Sequence, residues 1–138
     1  MKRFGILMVI VAAGIVGFAS SVHSQPNPSI GKFMRQKLDH SQKVLEGITL
    51  EDYAAIERNS VALAALSQAS TWQVLKTPEY VTYSAEFLQH ANALTRAARE
   101  KNIDAATLAY VQLTLNCVNC HKHVRATRMA SLDQKTLR

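Results

Sequence analysis

Apolar residues recur at intervals of three, four and seven along most of the chain, and the first such run begins at Ile30. Ile30, Phe33, Met34, Leu38, Val44 and Leu45 predict a helix over about 30–46, with Ser29 as its cap and Gly47 as its stop. A polar stretch, Asp39 to Lys43, interrupts that face, and Gln25-Pro26-Asn27-Pro28 ahead of it reads as an extended leader. Tyr53, Ile56, Leu63 and Leu66 predict a second helix over about 50–69, opened by Thr49 and Asp52 at capping-box spacing. Residues 70–81 break the period. Thr71-Trp72-Gln73-Val74-Leu75 is short and apolar, Thr77-Pro78 interrupts it, and a packed loop fits better than a strand with no partner. Phe87, Ala91, Leu94 and Ala98 predict a third helix over about 82–100, stopped at Asn102. Asp104 then caps a fourth over about 105–128. Four helices on short connections predict an all-α, antiparallel four-helix bundle.

The N-terminus follows another pattern. Lys2 and Arg3 precede an uncharged apolar run from Phe4 to Phe18, and Val22-His23-Ser24 offers a cleavage site. Residues 1–24 therefore read as a signal peptide, followed by one domain over 25–138. The apolar run is short for a membrane span of roughly 20 residues, so no stable span is expected, and export implies a periplasmic location. Removing the leader takes away two basic residues and lowers the formal charge from +6 to +4. That mild excess, with no interleaving of aromatic and basic residues, gives no sign of nucleic-acid binding.

The chain has only two cysteines, so an exported domain of this size has no disulfide framework. Both fall in Cys117-Val118-Asn119-Cys120-His121, the C-x-x-C-H pattern of covalent haem attachment. Two thiols three residues apart reach two vinyl groups of one porphyrin, and the next residue brings an imidazole to the iron. On a helix these three positions share a face, and a neutral imidazole is a good iron ligand. A C-x-x-C redox pair is expected beside a βαβ pattern, which is missing from the sequence. Zinc requires four ligands, and His123 points about 200° from His121 on a helix. The fourth helix also carries two apolar stripes, Leu108, Val111, Leu115 and Val118 against Tyr110, Leu113, Cys117 and Val124. One serves the bundle and the other a porphyrin. His40, His90 and His123 read as solvated. The sequence offers no nucleophile–base pair and no metal-activated water, so no enzyme is expected.

With its C-x-x-C-H late in a four-helix chain, the sequence resembles the cytochrome c′ family, the class II c-type cytochromes. Softer matches are Tyr53 to Leu66, Trp72, the Asn102-Ile103-Asp104 turn and Arg125, four residues after His121. The resemblance covers about residues 30–126. It implies one covalent haem c on Cys117 and Cys120, His121 as proximal iron ligand, and Arg125 as a charged neighbour of the pocket. It places the distal residue on the first helix, where Met34 and Leu38 lie one turn apart. Met34 as ligand implies low-spin iron and electron transfer with partner proteins. Leu38 over the iron implies an open site for NO or CO. A homodimer through the first two helices is a further implication, and a haem-free helical module with a Cys117/Cys120 redox pair is the reading from outside the family.

Overall fold

A computed structural model describes residues 28–69 and 75–136. The signal peptide expected over 1–24, most of the expected extended leader and the Trp72 segment lie outside the described residues. Four helices make up the described chain: α1 (Pro28–Thr49), α2 (Tyr53–Gln68), α3 (Pro78–Arg99) and α4 (Ile103–Thr136). No strand occurs among the described residues, and no helix among them is long and apolar enough to cross a membrane.

The helix ends show how the connections are built. α1 already starts at Pro28, so Ser29 is inside the helix and does not cap it. Gly47 does not stop α1 either; the helix runs on to Thr49, and the chain turns at Glu51, whose φ is 53°. Gly47 serves packing: a Cβ there would lie 2.9 Å from the Ile56 side chain and 3.2 Å from the backbone of Asp52. Asp52 is itself the cap of α2, its carboxylate accepting from the Ala55 N–H at 2.9 Å. Thr49 bonds back to the Glu46 carbonyl and takes no part in a capping box.

Thr77-Pro78 opens α3 and does not interrupt a loop. The Thr77 hydroxyl caps the helix and Pro78 takes its first turn, where a missing N–H costs nothing. Lys101, with a φ of 52°, turns the chain out of α3. Asn102 then accepts from the Ala105 N–H at 2.9 Å and caps α4, the part the sequence assigned to Asp104. The two three-residue connections fold each helix back on its predecessor.

Val44, Ile56, Leu63, Phe87, Leu94 and Leu113 bring all four helices into one core. Ala91, Ala97 and Ala98 on α3 and Ala106 and Ala109 on α4 keep the two backbones close. Ser60 and Thr95 share a buried hydrogen bond of 2.8 Å between α2 and α3. The pairs α1–α2, α2–α3 and α3–α4 pack extensively, whereas α1 and α4 touch only sparsely. The bundle thus has one loose seam.

Candidate haem-attachment site

The inward face of α4 is Ala106, Ala109, Leu113, Asn116 and Cys120. Two hydrogen bonds fix its rotation. Asn116 donates to Glu86 of α3 at 2.9 Å, and the His123 Nε2 meets the Thr77 hydroxyl at 2.8 Å. These residues mark the side of α4 turned to α3. At 100° per residue, Tyr110, Cys117 and His121 fall on the other side of the inward face, toward the seam with α1. Cys120 is buried, Cys117 half-buried and His121 exposed. Both cysteines are free thiols.

The two-stripe reading of α4 is corrected here. The stripe containing Leu113 and Cys117 faces the bundle interior. Leu108, Val111, Leu115 and Val118 stand on the opposite, solvent-facing side. One face of α4 therefore serves both the core and the thiols.

On α1, His40 and Gly47 mark the side against α2, through the His40 Nδ1 contact with Asn59 Oδ1 at 2.9 Å and the close approach to Ile56. Met34 and Leu38 lie on the flank away from α2. Met34 is half-buried, and Leu38 is 45% exposed. Neither belongs to the inward row, which is Phe33, Lys37, Val44 and Gly47. Lys37 is only 6% exposed. Its Nζ lies 3.5 Å from the centre of the Phe87 ring on α3 and 5.8 Å from that of Phe33.

Lys37 and the thiols act on one another. Burial lowers the Lys37 amine to about 7, against an opposing pull from Cys117 and Cys120. Burial pushes both thiols up, with the Lys37 charge pulling them down. A redox-active C-x-x-C needs a thiol lowered toward neutrality, and the shift here runs the other way. The arrangement suits thiols consumed in covalent attachment better than thiols that cycle.

The remaining candidates are easily placed. Arg125 is exposed, one turn beyond His121. His40 and His123 are not solvated as expected: each is half-buried and hydrogen-bonded, and His123 also stacks 6.1 Å from the Tyr83 ring. One surface hollow of about 610 Å³ lies elsewhere, between α2 and α3 beside Tyr80 and Leu88. Cys117 packs against the core cluster that holds Phe87, and Lys37 lies over the Phe87 ring. The apolar pattern does not point to Lys37, because a lysine does not count as an apolar position on the stripe. Its position four residues after Phe33 and seven before Val44, on the same stripe, was the available signal.

The donor set fits haem c. Two free thiols stand three residues apart, Cys120 inward and Cys117 toward the loose seam, and the imidazole of His121 follows directly on the seam side. No family model matches the chain, and neither curated proteins nor solved structures give a significant match.

Proposed function

We propose that the chain is an exported monohaem c-type cytochrome that transfers single electrons, with haem c held by Cys117 and Cys120 and His121 as its axial ligand. The observation that carries this reading is the placement of the two thiols and the imidazole within one arc of α4, Cys120 on its inward face and Cys117 and His121 on the side turned to the seam with α1. When bound, the haem supplies a one-electron iron couple. Cys117 and Cys120 would hold it through two thioethers. His121 orients its ring from a helix long enough to hold it rigidly. Arg125 places a positive charge one turn away, where it offsets negative charge at the pocket rim. Phe33, Phe87 and Leu113 exclude water. Whether Met34, Leu38 or another α1 side chain would face the iron would decide between electron transfer and the alternative of NO or CO binding.

The test is covalent retention. Protein matured in an exporting host with haem-ligation machinery should keep its haem through acid–acetone extraction. The double variant Cys117→Ala/Cys120→Ala should lose it. A wild-type chain that carries no covalent haem after such maturation overturns the reading.

A further inference from the structure

We propose that α4 pairs with α4 of a second copy of this chain, antiparallel about a two-fold axis, through the apolar row on its outward face. The proposal does not rest on the haem-attachment reading.

α4 needs only one apolar face to join the bundle, and Ala106, Ala109, Leu113 and Cys120 supply it. The opposite face should be polar. Instead Leu108 is 61% exposed, Val111 48%, Leu115 57% and Val118 44%. These four recur at steps of three and four residues, the spacing of a coiled-coil seam. Single exposed apolar residues are ordinary, but four in line on one helix make a continuous patch.

The ends of the row say what covers it. Asp104 stands one turn before Leu108 and Lys122 one turn after Val118, both exposed and both in line with the row at 100° per residue. Among the described residues neither joins an ion pair within the chain. The steps between the six positions are four, three, four, three and four, and they read the same in either direction. A second α4 running the opposite way therefore meets this one residue for residue. Leu108 faces Val118 of the second copy, Val111 faces Leu115, and Lys122 at each end faces Asp104. A two-fold contact uses the same patch on both copies, so every pair occurs twice. A parallel mate lacks this match, because it sets Lys122 beside Lys122. The charge of the whole helix has the same polarity. Ahead of the motif the one charged residue of α4 is Asp104; beyond it stand Lys122, Arg125, Arg128 and Lys135 against Asp133. The ion pair at each end fixes direction and register, while the apolar residues contribute most of the attraction. An anionic lipid surface would cover the apolar row, but it would repel the acid in line with it.

The flanks allow close approach. Thr107, Gln112, Thr114 and Asn119 border the row and carry no charge. The hydroxyls of Thr107 and Thr114 bond back to the carbonyls of Ile103 and Tyr110 on their own helix, so they need no outside partner. Cys117 and His121 lie on the side toward α1, away from the centre of the row.

The experiment is sedimentation equilibrium of the mature exported chain. Its mass should rise from one chain to two between micromolar and millimolar concentration. Leu115→Lys sets an unpaired ammonium against Val111 of the second copy and should weaken the dimer by about two orders of magnitude. Asp104→Lys and Lys122→Asp each juxtapose like charges and should weaken it about tenfold, and the double variant should recover the wild-type affinity. A loss caused by misfolding would not recover in this way, so the charge swap decides the matter even if Leu115→Lys fails to fold. Leu45→Lys and Val61→Lys, at exposed positions of α1 and α2, should leave the mass curve unchanged. A chain that stays monomeric throughout overturns the proposal, and its flotation with phosphatidylglycerol vesicles would assign the row to a lipid surface instead. A dimer abolished by Leu45→Lys or Val61→Lys overturns it as well, as does a charge-swapped double variant no tighter than its singles.

Discussion

Gly47 shows how one hydrogen atom sets the spacing of two helices. A methyl group there must push against Ile56 and the Asp52 backbone, one of them a rigid carbonyl. Gly47→Ala should cost about 1–3 kcal/mol, read from the urea midpoint. Lys37 gives the haem-free chain a signed pH dependence. Its amine titrates at about 7 when folded and at its ordinary 10.5 when unfolded. Below pH 7 both states hold the proton and the burial penalty is constant. Above it only the unfolded state does, so stability rises with pH, by up to about 1.4 kcal/mol per unit. Beyond about 9 the buried thiols, held protonated in the fold, reverse the trend. Urea midpoints at several values from pH 6 to 9 should climb for the wild-type apoprotein and stay flat for Lys37→Leu. The sequence placed Cys117, Cys120 and His121 together because local spacing on a helix is enough to do so. It could not show that Lys37 lies buried on the inward row of α1, because that depends on the rotation of α1 set by Gly47 and His40 against α2.

At the scale of the helix, the caps carry most of what periodicity left open. All four helices were legible, since each has several apolar residues at helical spacing. Their ends were not, because Ser29, Thr49, Asn102 and Asp104 all have side chains able to cap, and only the turn geometry selects among them. Asn102→Ala should therefore destabilise the protein by about 1 kcal/mol, whereas Asp104→Ala loses only a favourable charge in the first turn, worth about 0.3–1 kcal/mol. Thermal melts of the two variants side by side test the assignment. Thr77 has two tasks, capping α3 and meeting His123 of α4. Thr77→Val keeps its shape and removes both bonds, so its cost should exceed that of Asn102→Ala.

The whole molecule is held by three firm helix pairs and one weak one. α3 belongs to two of the firm pairs and α1 to one. Amide hydrogen exchange in the haem-free chain should therefore be slowest in the middle of α3, around Ala91 to Leu94, and faster in α1. Equal protection in α1 and α3 would contradict the weak seam. Cys120 is buried beneath this arrangement. On the proposed function, that makes maturation a race. Any enzyme that joins porphyrin to the thiols must reach them before α1 docks, or wait for it to swing away. A variant that loosens α1, such as Gly47→Ala, should then emerge with a larger share of its chains loaded, although it is the less stable protein.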